Sequence, residues 1–523
     1  MTRHILITTL CVLTVFSLTL SCRHKAYVGP GNGNGNGNGG GTSVGEAGCY
    51  PEAVANIIVT KCATSGCHNA ATHSGGFTMD TWEHLFEGGS NGSAVIPYSP
   101  EYSSLLYFVN PDSTNGDLYD SDATTKMPLG GTPLSAAEYK TLKDWIKSGS
   151  PDCKGVVPFS SNADTRQKIY MSMQGCDLVG VIDAEKNVVM RYIKVGAVDG
   201  VVESPHCLRV SPDGKYVYVC FSGGTNLQRI NTSTDQVDNS IVIPAVNTTP
   251  KWNILYVTPD SKNVLVCDYN TSGGAVMLDA ITMYPTALKY FSPMVTPHGI
   301  TSSPNFDTMF ISAQYGNTIY RIPTNNTNVD LAQKISLNGN PPVPLNGTVA
   351  GNPDPHEILM VPDGSKYIVT CQNTNEVKVL DAHTNAVLKT FTVGDGVGIY
   401  PQEIALSRTN KYAYISCQDN NGTTLLKGSV FIFNYETLAI AGTISSIDGQ
   451  FNRPHGLTVD DRSNTLYVAS VNTDGPAPHH VSSCAGNNGY YRVFSSMPPF
   501  AEINSRKYEV SVAPYSVDVR FKN

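Results

Sequence analysis

The sequence predicts a multidomain chain in which a small all-α domain precedes an all-β, seven-bladed β-propeller. Three observations carry this prediction. First, a proline recurs at positions 205, 250, 297, 355, 401, 454 and 514, at intervals of 45 to 60 residues, and most are followed by an apolar run, a turn and a second β run. Four strands per unit, repeated seven times, is the pattern of propeller blades. Second, the stretch between Cys49 and Cys153 carries short helical patterns instead of alternating ones. Third, the ends of 160–523 are incomplete in complementary ways. Residues 513–519 read as a first strand with nothing after it, and 168–183 as second and third strands with nothing before them. Pairing the two closes the ring and leaves no raw edge.

Taken in order, residues 1–22 read as an export signal. Arg3 and His4 supply a basic start, and residues 5–20 are apolar but too short and too early for a stable membrane span. The run Leu18, Thr19, Leu20, Ser21, Cys22 resembles a bacterial lipoprotein signal, which implies lipidation of Cys22 and anchoring in the bacterial cell envelope; ordinary signal cleavage near the same place is the alternative. Residues 23–47, rich in alternating Gly and Asn, cannot pack a core and read as a flexible tether. A net charge of −8 with only 15 % charged residues argues against nucleic acid as a partner.

Residues 48–155 form the predicted helical domain. A helical run over 51–60 delivers Cys62. A second, over 100–110, starts at a proline and has an apolar face at Leu105, Leu106 and Val109. Ser135 and Glu138 form a capping box for a third, which carries Leu142, Trp145 and Ile146 on one face and stops at Gly149. Cys49 and Cys153 stand at the two ends and are expected to pair, since an exported chain meets an oxidising compartment.

The chemistry centres on Cys62, Cys67 and His68. Two thiols on one local turn with an adjoining imidazole can attach a haem covalently and ligate its iron. The usual gap of two residues between the cysteines is four here, and a disulfide or a small metal knuckle is the competing reading. The flanking landmarks Gly75-Gly76-Phe77, Gly88-Gly89-Ser90, Val95-Ile96-Pro97, Ser103-Ser104-Leu105-Leu106, Met127-Pro128, and Leu142 to Ile146 with Gly149 resemble a bacterial cytochrome c family of planctomycetes and bacteroidetes. That resemblance implies Cys62 and Cys67 as thioether attachments for haem c, His68 as the proximal iron ligand and Met127 as the distal one. His73 and His84 are substitute ligands.

In 160–523 the units resemble the YVTN-type propellers of extracytoplasmic bacterial proteins, a likeness that speaks for fold more than function. Pro212-Asp213-Gly214 and Pro362-Asp363-Gly364 supply tight hairpin turns. The residues after the repeat prolines are His206, Lys251, His298, His356, Gln402, His455 and Tyr515. First strands line a propeller's channel, so these positions form one ring. Its four histidines are a candidate site for a second metal (copper, zinc or iron), against the plainer reading as wall residues. His479 and His480 with Cys484 are another candidate. Cys220, Cys267, Cys371 and Cys417 read as buried fillers. The scattered acids give a hydrolase reading little support. The whole reads as an exported, lipid-anchored electron-transfer protein whose propeller hosts a redox or metal site or docks a redox partner. The alternative is a cell-surface binding module for a protein or glycan, with the helical domain degenerate or structural.

Overall fold

The computed structural model describes residues 45–244, 249–284, 289–419, 427–445, 451–473, 475 and 479–522. The predicted signal, Cys22 and most of the tether lie outside these residues.

Pro51 pre-sets the backbone for α1 (Glu52–Ile57), which buries Val54, Ala55 and Ile57. A π-helical turn, Ile58–Cys62, extends it and turns Cys62 inward. The sequence did not predict α2 (Trp82–Leu85), a single turn capped by the Thr81 hydroxyl, which accepts from the His84 N–H at 3.2 Å. The proline-led run over 100–110 splits into a 3-10 turn, Pro100–Tyr102, and α3 (Ser104–Val109). Ser103 makes the break. Its backbone is extended, and its hydroxyl accepts from the Ile96 N–H and donates to the Ser99 carbonyl. In α4 (Ala136–Lys147) the capping box forms in both directions. Tyr139, Leu142, Trp145 and Ile146 bury one face against α1 and α3, in a core with Tyr50, Ile58, Leu105 and Leu106. Cys49 and Cys153 are joined across a sequence separation of 104.

The propeller consists of seven four-stranded antiparallel sheets. The closure blade takes three strands from the start of the segment, Lys168–Met173, Leu178–Asp183 and Val188–Lys194, and its innermost strand, Pro514–Val519, from the end. Numbering it as blade 1, blades 2 to 7 follow in chain order from Pro205, Trp252, Pro297, Pro355, Ile399 and Pro454. In all seven blades the first strand carries one extra residue relative to the second, at or just after the repeat proline. Such a bulge re-aims the side chain it holds. The hairpin at Pro212-Asp213-Gly214 turns at Gly214 with φ +72°; a Cβ there would lie 2.5 Å from the Phe521 ring.

Blades are fastened to one another by buried tyrosines on their second strands. Tyr218 of blade 2 donates to the Ala280 carbonyl of blade 3 at 2.7 Å, and Tyr414 of blade 6 to Ser496 of blade 7 at 2.5 Å. Tyr467 of blade 7 donates to Asn187 Oδ1 of blade 1 at 2.5 Å. Between blades 1 and 2, Asp235 receives Tyr170 and the Lys168 ammonium, each at 2.8 Å, with both ends of the ion pair 2 % exposed. The helical domain lies on the outer strands of blades 1 and 7. Ser93 donates to the Val189 carbonyl at 2.9 Å, and the Glu509 N–H donates to the Asn91 carbonyl at 3.0 Å.

Among the described residues Asp235 is the one carboxylate paired with Lys168, and it also meets Arg191 at 3.5 Å, so its loss strands a buried ammonium. Asp235→Ala should cost about 3–5 kcal/mol, whereas replacing both partners by apolar residues of similar volume should cost far less. Denaturant titration of the two variants checks this; equal losses would count against it.

Candidate functional site

Cys62, Cys67 and His68 sit on one closed turn. The His68 N–H donates to the Cys62 carbonyl at 3.1 Å, the Cys67 N–H to Thr64 at 3.0 Å, and Asn69 Nδ2 to Thr64 at 3.0 Å. These bonds fold the two additional residues of the four-residue gap back on themselves. Lys61 anchors the turn to α4 through Glu138 at 2.6 Å, the same carboxylate that caps that helix. Both thiols are free and buried, 7 % and 5 % exposed. Burial, with Cys67 close by, pushes the Cys62 thiol up to about 12.

His68 is presented as a ligand would be. Its Nδ1 lies 3.1 Å from the Ser74 carbonyl, an interaction that fixes Nδ1–H and leaves Nε2 as the basic nitrogen. Burial lowers its pKa, so the ring is neutral at neutral pH. Phe77 stands edge-on to it, centroids 5.6 Å apart. Met127 is half-buried against the helical core, and its N–H donates to the Phe108 carbonyl at 2.9 Å. The substitutes are placed differently: His84 Nδ1 pairs with Asp80 at 2.8 Å, and His73 is exposed, with its Nδ1 beside the Ala70 carbonyl at 3.3 Å. Two unpaired buried thiols beside a neutral imidazole, with an apolar core behind them, fit covalent haem.

In the propeller the bulges bring five of the seven axial side chains into a closed ring. Successive ring centroids lie 4.6 Å apart for His206–Tyr515, 3.7 Å for Tyr515–His455, 5.7 Å for His455–His356, 4.2 Å for His356–His298 and 6.3 Å for His298–His206. Blades 3 and 6 stand apart: Lys251 is exposed and precedes the first strand, whose register puts Asn253 and not Lys251 at the bulge, and Gln402 donates to the Tyr400 carbonyl. His298 Nδ1 lies 3.0 Å from the His356 carbonyl and His455 Nδ1 3.3 Å from the Tyr515 carbonyl, so backbone groups claim one nitrogen of each. Among the described residues, three-donor groups with ligand atoms within 4.8 Å occur at Cys49, Asp152 and Cys153, where the cysteines are disulfide-bonded, and at His479, His480 and Glu509. The channel histidines meet as predicted in position but form no such group.

Below that ring Arg209 reaches across the axis to Glu357 at 3.7 Å and Glu403 at 3.6 Å. No local pattern signals this, because the three residues come from blades 2, 5 and 6. Burial and the Glu403 charge hold Glu357 well above the usual carboxylate range. These three residues form the floor of a cavity of about 680 Å³ that also meets Asp213, Asp461 and Lys522. Cys220, Cys267, Cys371 and Cys417 are buried free thiols. Cys484 is corrected: it is bonded to Cys176 in blade 1, across a sequence separation of 308, and is no metal ligand.

A small helical unit carrying a thiol–imidazole turn, set on a seven-bladed propeller, is the architecture these features define. The family model described as Planctomycete cytochrome C matches residues 65–116, which include Cys67 and His68 but neither Cys62 nor Met127. No curated protein gives a significant match. Two solved structures are similar. One is a functionally unknown protein from Desulfotomaculum acetoxidans DSM 771, with TM-score 0.46 and 14 % identity over 67 % of this chain and 98 % of that one. The other is Kuenenia stuttgartiensis hydrazine synthase, with TM-score 0.43 and 15 % identity over 61 % of this chain and 90 % of that one. Neither likeness is strong enough to carry a functional argument.

The axial ring makes a pH prediction. Burial above all lowers His298 to about 4 and His455 to about 3, so both stay neutral in the folded protein while the unfolded chain protonates near 6.5. Their contribution is complete above pH 6.5 and is lost as pH falls through 6.5 towards 4 and then 3, at up to ~1.4 kcal/mol per pH unit for each. Urea midpoints measured from pH 7 to pH 4 should fall less steeply in the His298→Gln, His455→Gln double variant. Identical slopes would refute the assignment.

Proposed function

We propose that this chain is an extracytoplasmic electron-transfer protein: a c-type haem domain, tethered by a lipidated Cys22, carried on a propeller that docks a redox partner. The observation that carries the reading is the turn itself. Two free, buried thiols flank a neutral imidazole whose Nδ1 is committed to the Ser74 carbonyl. Cys62 and Cys67 would hold the group through thioether bonds, and His68 Nε2 and the Met127 sulfur would bind the iron. Haem with two protein ligands of this kind exchanges one electron and offers no open position for oxygen chemistry.

The chain's own contributions follow from its packing. The Lys61–Glu138 pair and the Asn69–Thr64 bond hold the attachment turn fixed, and the Ser74 carbonyl sets the orientation of the imidazole. The Phe108 carbonyl positions the backbone at Met127. The apolar cluster around Ile58, Leu105 and Leu106 excludes water, which tunes potential as strongly as ligand identity does.

Protein produced in a host that matures c-type cytochromes should give a c-type spectrum after denaturation and reduction in pyridine. Met127→Ala should keep that spectrum but lose the weak sulfur-to-iron band, and its midpoint potential should fall. A peptide bearing Cys62 and Cys67 unmodified would end the haem reading.

The anchor is tested separately. Cys22→Ser should move the protein from the membrane fraction to the soluble fraction and abolish incorporation of labelled fatty acid; unchanged membrane association would exclude lipidation at this residue.

A further inference from the structure

The junction between the propeller and the helical domain holds a second cluster of donors. His479 and His480 belong to the long connection before the third strand of blade 7, Asn488–Ser495, and Glu509 to its outer strand, Tyr508–Val512. His480 Nδ1 lies 2.9 Å from Glu509 Oε2, and His479 Nδ1 lies 3.8 Å from the same oxygen. The three donor atoms all fall within 4.8 Å of one another. A tetrahedral ion with ligands at about 2.0–2.2 Å needs donor separations of roughly 3.3–3.6 Å, so shifts of up to about 1.5 Å suffice.

The setting favours an ion over a plain His–Glu pair. One buried carboxylate, 5 % exposed, serves two imidazoles through one oxygen, while its other oxygen is held by Asn488 Nδ2 at 2.8 Å. That bond orients the carboxylate from behind, as an outer-shell partner does in a metal site. The rings are also fixed from outside: His479 packs on Phe108 with centroids 4.6 Å apart, and His480 on Tyr107 at 5.6 Å. Both aromatics lie on α3, and the Glu509 N–H is tied to the Asn91 carbonyl of the helical domain. Preset ring planes and a preset carboxylate reduce the ordering cost of binding.

We propose that His479, His480 and Glu509 bind a divalent transition metal of the imidazole-preferring class, with zinc as its probe. Three protein donors leave a fourth position, which opens to solvent beside His479, itself 36 % exposed. The ion would fasten the blade 7 connection to α3. Because the Phe108 carbonyl receives the Met127 N–H, the site also borders the loop that carries Met127.

The test is zinc binding by calorimetry to the full, tag-free chain after dialysis against chelator. Wild type should take up one equivalent, and its melting temperature should rise with zinc. Glu509→Gln keeps the acceptor for Asn488 but removes the charge, and His479→Ala truncates an exposed ring that the fold does not need. Each should weaken binding by at least ~100-fold, beyond the loss typical of outer-shell changes, with metal-free melting unchanged in His479→Ala. His84→Ala, elsewhere on the helical domain, should bind as wild type does. Absence of zinc uptake by wild type, or unchanged affinity in His479→Ala and Glu509→Gln, overturns the proposal and leaves the cluster a charge pair. Either result is independent of whether haem is attached.

Discussion

The ring depends on a tyrosine hydroxyl from one blade reaching the outer turn of the next. A sheet of four strands cannot bury both faces alone, and neighbouring blades must meet at a fixed angle for seven of them to close. Tyr218, Tyr414 and Tyr467 set that angle with hydrogen bonds of 2.7 Å or less into the turn between the third and fourth strands of the following blade. At the seam between blades 1 and 2 the same position is Tyr170, and there a buried Lys168–Asp235 pair is added. Where the ring is completed by the chain's far end, the fastening is ionic as well as neutral.

Closure has consequences on the axis. Every first strand enters with a bulge, and in six blades the residue before the proline, from Ser204 to Ala513, has positive φ. Backbone held in this region costs of order 1 kcal/mol per residue and persists only where the surroundings dictate it. Here the surroundings are the neighbouring first strands. In those six blades the strain turns the side chain after the proline inward, and in five of them an imidazole or phenol ring then fills the gap. Filling, more than ligation, accounts for His298 and His455, whose Nδ1 atoms face the backbone of the next blade around the axis.

Much of the architecture was legible because the repeat writes the same constraints seven times. Proline spacing, the turns ending at Gly214 and Gly364, and the orphan strand at 514–519 together sufficed for blade number and closure. The capping box at Ser135 and Glu138 was legible because both partners lie within one turn. What failed was local structure decided by distant atoms. Ser103 breaks a helix because its hydroxyl accepts from the Ile96 N–H and donates to the Ser99 carbonyl, and α2 is too short to leave a periodic signal. Cys484 looked like a ligand beside His479 and His480, but its partner, Cys176, lies 308 residues away on a hairpin that only closure brings near. Glu509 was invisible for the same reason, as an acid on an edge strand with nothing local to mark it.

The chain therefore places its polar chemistry unevenly. On the axis, His298 and His455 lean on the backbone of the next blade, Arg209 meets Glu357 and Glu403, and desolvation keeps the two imidazoles neutral. At the rim, the outer strands of blades 1 and 7 would be exposed edges if nothing covered them, and the helical domain supplies the cover through Asn91, Ser93 and Tyr102. Covering an edge sets the Cys62–His68 turn and the Met127 loop in a domain that is bonded to the outer strands of blades 1 and 7. The propeller's geometric contribution is thus a fixed platform: the same seam that closes the ring holds the domain whose cysteines and histidine can do chemistry.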